Sequence, residues 1–143
     1  MKAVLVLIVL IGGVCLAVYY FGGAASFDPS QQGRDARAAV KPGMTLKKVI
    51  AAAGEPREYR VINRQVKNFA GQEQEVFKPG AKNPFDFDRV TERIANNELP
   101  HGFTLDYFFS NKVAFAVTFD ATGTAMSVDD LTTMADLLQI DKD

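Results

Sequence analysis

The side chains that most often perform catalysis or bind metal ions are scarce in this sequence. It contains one histidine, His101, and one cysteine, Cys15, which lies in an apolar N-terminal stretch, so neither a histidine-based metal cluster nor a Cys–His nucleophile pair is expected. Asp86 and Asp88 suit a weak hydrolase if the chain is extended there, but at a helix N-terminus they complement the helix dipole. We favour that structural role. The sequence therefore predicts a protein that is not an enzyme, with no catalytic residue, cofactor or metal ion.

The segment from Asp120 to Gly123 (DATG) resembles the start of a calcium-binding loop. Such a loop needs acidic or amide residues at its third and fifth positions and glycine at its sixth, a pattern that this segment does not continue. A turn between two strands is the better interpretation. Glycine-rich nucleotide-binding motifs are absent from the sequence.

The charge balance of the chain argues against nucleic acid as a partner. Its 143 residues carry 16 basic and 17 acidic side chains, a formal net charge of −1, whereas nucleic-acid-binding proteins usually present a net basic surface. Four basic residues nevertheless form a candidate patch facing a partner or lipid: Arg57, Arg60, Arg64 and Lys67. A solvated surface is the equal alternative.

The N-terminal residues predict a membrane segment. Nineteen uncharged residues from Ala3 to Phe21 are close to the roughly 20 that a helix needs to cross a bilayer. We expect residues 1–21 to form an uncleaved transmembrane anchor, with a cleaved signal peptide as the alternative. Residues 22–39 are rich in Gly, Ala, Ser and Gln and predict a flexible linker. Residues 40–143 then form the folded domain.

A short helix is predicted from Leu46 to Ala53. Thr45 is suited to cap its N-terminus through the hydroxyl group, and apolar residues recur along one face at helical spacing. Gly54 can adopt the positive φ that ends a helix, and Pro56 prevents its continuation.

Alternating apolar residues predict an antiparallel sheet in the second half of the domain. Phe103 to Phe109 and Val113 to Phe119 form a hairpin, and the turn at Asp120 leads to a third strand ending near Val128. Arg57 to Lys67 predicts a further strand, and Glu73 to Phe77 a partly exposed one that prolines and glycine soon break. We expect a helix from Asp86 or Asp88 to about Asn97, and a last helix capped by Asp129. The fold class is α+β, with short helices on one face of a three- to four-stranded antiparallel sheet.

The order of these motifs resembles the SmpA/OmlA family of BamE-like envelope lipoproteins. The motifs that carry the resemblance are PGMT, GEP, LDYFF and VTFDATGTAMSV, and their family positions are Pro42, Gly43, Met44, Thr45, Gly54, Pro56, Phe119, Asp120 and Gly123. The resemblance implies a helix-pair-plus-sheet module, also of the type seen in β-lactamase-inhibitor proteins. Two features depart from the family: Cys15 lacks the lipid-attachment sequence, and an insertion occupies about residues 67–102.

Taken together, the residues and the resemblance predict a non-enzymatic, membrane-anchored protein-binding or scaffold module of the bacterial envelope. The anchor implies one membrane span and the resemblance a periplasmic domain with other envelope proteins as partners. Outer-membrane residence is not predicted, because the lipid-attachment sequence is absent. Self-association stays open. A small inhibitor or ligand-binding periplasmic domain is the alternative.

Overall fold

The computed structural model describes residues 28–138, apart from the side chains of residues 78–81. Helices and strands are interspersed along this part of the chain. The helices are α1 (Pro29–Ala39), α2 (Leu46–Ala53), α3 (Phe87–Ala95) and α4 (Met134–Leu137). The strands are β1 (Glu58–Lys67), β2 (Glu73–Pro84), β3 (Phe103–Phe108), β4 (Ala114–Phe119) and β5 (Ala125–Asp130). This is an α+β arrangement.

All five strands belong to one antiparallel sheet in the order β2-β1-β3-β4-β5. The expected three to four strands were therefore too few. The difference lies in β2, which continues past Pro79 and Gly80 to Pro84 with irregular register against β1. Because β2 is an edge strand, one side of its backbone needs no hydrogen-bonding partner, and proline is tolerated there.

The alternation of β3 and β4 separates two faces of the sheet. Phe103, Leu105 and Tyr107 share the core with alternate residues of β4, and the Phe103 and Phe119 rings stack at 4.9 Å. Buried residues of α1, α2 and α3 pack on this core face. The opposite face, called the polar face below, carries the buried side chains of Thr104, Asp106 and Thr118.

The prediction of a flexible linker is wrong for residues 29–39, which form α1. The Asp28 carboxylate caps this helix by accepting a hydrogen bond from the Ser30 N–H at 2.9 Å, and Pro29 occupies the first turn. Gly33 lies against Phe109 and Val113, where a Cβ atom would come within 2.7 Å of both side chains. The missing side chain at residue 33 therefore allows the helix to approach the β3–β4 hairpin closely.

Two of the family motifs lie against each other in space. The Gly43 N–H donates to the Ala125 carbonyl at 2.7 Å, the Ala125 N–H donates to the Met44 carbonyl, and the Leu46 N–H donates to the Gly123 carbonyl. The predicted hydroxyl cap is wrong, because the Thr45 side chain makes no capping hydrogen bond. The Gly123 carbonyl of the DATG turn accepts the first N–H of α2 instead.

The other family positions have structural roles. Gly54 ends α2 with a φ of 81°, as predicted, and Pro56 is buried directly after it. Asp120 holds the DATG turn by accepting hydrogen bonds from the N–H groups of Thr122 and Thr124. Burial alone would raise the pKa of the Asp120 carboxyl, but these bonds and the Thr122 hydroxyl outweigh it and lower that pKa.

The last helix begins later than expected. Asp129 belongs to β5, where it pairs with Ala116, and the helix is capped by Thr133. Thr133 and Asp136 form a reciprocal capping box that satisfies N–H groups at the helix start. The helix predicted after Asp86 is confirmed as α3.

The expected transmembrane helix requires a correction. The longest of the helices above, α1, has 11 residues, about half of the length needed to cross a bilayer. None of the helices within residues 28–138 is both long and apolar enough to span a membrane. The anchor was predicted over residues 1–21, which lie outside the described residues.

Candidate protein-binding surfaces

The hairpin of β1 and β2 extends beyond the rest of the sheet. Strand β1 pairs with β3 only from Tyr59 to Val61, whereas its pairing with β2 continues to Lys67 and Glu73. We call the extended part, residues 62–77, the hairpin arm. It curls across the polar face of the sheet, so that Glu75 interacts with the Thr104 and Thr118 side chains.

A buried ion pair fixes the base of the hairpin arm. The Arg60 guanidinium donates from Nε to Oδ2 of Asp106 at 2.5 Å and from Nη2 to Oδ1 at 2.7 Å. The Asp106 side chain is 5% exposed. The other side of the guanidinium lies over the Phe77 ring, 4.0 Å from its centroid. Arg60 therefore connects three strands through charge, hydrogen bonds and a cation–π contact.

Glu75 lies where the arm meets the polar face. Burial raises the pKa of its carboxyl above the ordinary value, while the Thr118 hydroxyl and the positive charge of Arg60 oppose that shift. The Asp129 carboxylate adds to the increase. The contact between arm and sheet is thus polar, and burial of the Glu75 carboxyl costs less when it is protonated.

A hydrogen-bonded turn closes the tip of the arm. The Asn68 Oδ1 accepts from the Ala70 N–H at 2.9 Å and from the Gln72 N–H at 3.0 Å. The Asn68 N–H donates to the Gln72 carbonyl, and Gly71 adopts a φ of 77°. These bonds hold four backbone groups of a short turn in one arrangement.

The turn presents a single aromatic side chain to solvent. Phe69 has a relative accessibility of 113%, compared with 67% for Leu137, the next most exposed large hydrophobic residue in the described part of the chain. Asn68 and Gln72 of the same turn are polar, and Lys67 pairs with Glu73 across the two strands. We call residues 68–72 the hairpin tip. Sequence reasoning placed a turn at Ala70 and Gly71 but missed Phe69.

The structure does not gather the four predicted basic residues on one open patch. Arg60 is engaged with Asp106, and Arg57 lies before β1, away from the hairpin tip. Arg64 and Lys67 are exposed on the hairpin arm. Side chains alternate between the two faces of β1, and the register of β1 shifts near Ile62, so the four basic side chains do not lie together.

The acidic candidates for catalysis have roles at a helix end. The Asp86 carboxylate accepts a hydrogen bond from the Arg89 N–H at 2.8 Å and caps α3, and Asp88 lies in the first turn. His101 is exposed in the loop before β3. Within residues 28–138, no group of three or more His, Cys, Asp or Glu side chains could hold a metal ion.

A groove of about 850 Å³ separates the end of β3 from the connection between α2 and β1. Tyr107, Phe108 and Phe109 form one side, and residues 53–58 form the other. Phe108 is 65% exposed there, and the Tyr107 hydroxyl donates to the Gly54 carbonyl at 3.0 Å. Burial raises the pKa of the Tyr107 hydroxyl, which keeps it a neutral donor.

The backbone of the sheet is covered at the start of β5 but not along the end of β3. The Thr45 to Thr124 bridge protects the start of β5, and the Arg37 guanidinium donates to the Val128 carbonyl at 3.0 Å. In contrast, β3 continues past Leu105, its last residue paired with β1, to Phe108. The groove therefore contains a stretch of β3 that has a strand neighbour on one side.

Searches of protein-family models, curated proteins and solved structures found no match to this chain.

Proposed function

We propose that this protein works by binding another protein, with Phe69 at the hairpin tip as the anchor of the contact. The observation that carries the proposal is the exposure of Phe69 on a turn held by hydrogen bonds. Burying a phenylalanine side chain stabilises a protein or a complex by roughly 1.5–3 kcal/mol. Phe69 is exposed in the isolated chain, so this free energy is gained only when a partner covers it. The membership of a BamE-like family stays a prediction beside this proposal.

The construction of the arm favours a specific contact. Ordering a loop on binding costs free energy. Here the Asn68 hydrogen bonds already order the hairpin tip, and the contact between Arg60 and Phe77 already orders the base of the arm. A partner then needs a pocket about one aromatic ring wide with polar groups at its rim to meet the amide side chains of Asn68 and Gln72. Aromatic residues of this kind dominate the energetics of many interfaces.

Site-specific photo-crosslinking in cells of the source organism tests the proposal. The full chain carries p-benzoylphenylalanine in place of Phe69, or of Met134 as a control, since Met134 is 57% exposed on α4. We expect a discrete, light-dependent protein adduct from position 69 and none of the same mass from position 134. Absence of an adduct from position 69 contradicts the proposal.

Purified partner then provides the quantitative test. Phe69→Ser should weaken binding by about 2 kcal/mol, roughly thirtyfold, because it removes the anchor side chain. Met134→Ser should leave the affinity unchanged. Equal affinities of the wild-type and Phe69→Ser chains would show that the crosslink reports proximity without recognition.

A further inference from the structure

We infer that the groove beside β3 binds an extended peptide segment of a partner protein, which adds a strand to the open side of β3. This site shares no residue with the hairpin tip, so the two proposals can fail separately. Three observations support it: the direction of the backbone groups at the end of β3, the reason that β1 stops pairing with β3 at Leu105, and the exposed side chain of Phe108.

The first observation concerns the direction of backbone groups along β3. The Phe109 N–H donates to Val113 across the β3–β4 hairpin, and the Gly102 carbonyl accepts from Ile62 of β1. Backbone groups alternate sides along a strand, so Asp106 and Phe108 direct theirs away from β4, as Gly102 does. The Tyr59–Leu105 pair is of the type whose hydrogen bonds come from the flanking residues, so the Asp106 N–H is taken by the Glu58 carbonyl. The Asp106 C=O and the N–H and C=O of Phe108 point toward the groove.

The second observation explains why β1 does not cover this stretch. Tyr59 pairs with Leu105, and continuing that antiparallel register places Pro56 opposite Phe108. Proline has no N–H and cannot donate to the Phe108 carbonyl. The Arg57 carbonyl, next to Pro56, instead accepts from the Phe85 N–H at 3.0 Å. The chain therefore leaves the sheet before the end of β3, which opens the groove.

The third observation is the side chain that an added strand would meet. Phe108 is 65% exposed at the groove, and Pro84 also lines it. The open stretch from Asp106 to Phe108 is about 10 Å long, which accommodates three residues of a partner strand. The occupant is thus an extended segment of three to five residues with an apolar side chain beside Phe108.

The charges around the groove indicate how selective the site is. Glu58 is bridged to Lys82 at 2.8 Å and Asp106 to Arg60, and the other two charged lining residues, Glu55 and Arg57, have opposite signs, so the groove has no excess of either charge. Recognition then depends on backbone hydrogen bonds and on the apolar contact, as in other cases of strand addition to a sheet edge. An open strand along one side of the groove also suits a peptide better than a compact small molecule.

Peptide selection on the full chain tests the inference. A random twelve-residue peptide library is selected in parallel on the wild-type chain, Phe108→Asp and the control Met126→Asp, whose side chain is 52% exposed on β5. We expect peptides with an apolar residue that bind the wild type and Met126→Asp alike. Phe108→Asp should weaken them at least about tenfold. Phe108→Ser provides a second variant, and thermal unfolding establishes that each variant is folded.

Backbone methylation of a selected peptide distinguishes strand addition from other modes. Methylation of alternate peptide nitrogens should abolish binding, while methylation of the nitrogens between them should not, because only one set faces β3. Binding should also slow hydrogen exchange of the Phe108 N–H. The inference is overturned if no peptide prefers the wild type to Phe108→Asp, if methylation shows no alternation, or if Phe69→Ser abolishes peptide binding. That last result would move the peptide site to the hairpin tip.

Discussion

At the scale of single residues, glycines show most directly where this fold tolerates no side chain. Gly102 has a φ of 83°, and a Cβ atom there would lie 1.9 Å from the Phe119 carbonyl oxygen. Gly43 has a similar φ of 87° with no atom within 4 Å of the same position. A side chain at residue 43 would therefore cause backbone strain alone, whereas one at residue 102 would cause both strain and steric overlap.

We predict that Gly102→Ala lowers the free energy of unfolding by roughly 2–4 kcal/mol, because strain and overlap act together. Gly43→Ala should cost about 1 kcal/mol from strain alone. Urea denaturation of both variants measures the difference. Equal losses would mean that the loop before β3 moves away from Phe119 at little cost.

At the scale of elements, local patterns in the sequence predicted most of the fold. The alternation of apolar and polar residues predicted β3 and β4, and Gly54 predicted the end of α2. Helix α1 was missed because its composition resembles a linker, although Asp28 followed by Pro29 is a helix-start signal. The alternation could not reveal the curl of the hairpin arm, which depends on contacts between Arg60, Glu75 and the polar face.

The candidate sites were less predictable than the strands that form them. A turn at residues 70–71 follows from sequence, but the exposure of Phe69 depends on where the arm points. The groove likewise depends on the register of Tyr59 with Leu105, which sets Pro56 opposite Phe108. Register is a long-range property of two strands, and neither strand encodes it alone.

The packing of α1 yields a prediction at this scale. Alanine is a better helix former than glycine by about 1 kcal/mol, so propensity favours Gly33→Ala. Its Cβ atom would overlap Phe109 and Val113 at 2.7 Å, and overpacking costs about 1–3 kcal/mol. We expect a net loss in thermal stability. Gln32→Ala, at an exposed position of the same helix, should be neutral or stabilising. A stabilised Gly33→Ala variant would show that α1 does not pack closely on the hairpin.

At the scale of the whole molecule, the Arg60–Asp106 pair joins the sheet to the hairpin arm that carries Phe69. Removing one partner leaves a buried charge without compensation, whereas removing both does not. The pair is also asymmetric, because the Arg60 side chain is 23% exposed and that of Asp106 is 5% exposed. Leaving Asp106 without its partner therefore costs more free energy than leaving Arg60 without its partner.

We predict that Arg60→Met lowers the free energy of unfolding by about 3–5 kcal/mol, since Asp106 then stays buried and unpaired. The double variant Arg60→Met with Asp106→Leu should recover most of that loss, which a double-mutant cycle in urea measures. Loss of the cation–π contact with Phe77 remains in both variants, so the double variant should still hold the arm less firmly. Hydrogen exchange of the Asn68 turn would report this as exchange that is faster than the small remaining loss of global stability explains. Additive losses in the cycle would contradict the coupling of arm and sheet through this pair.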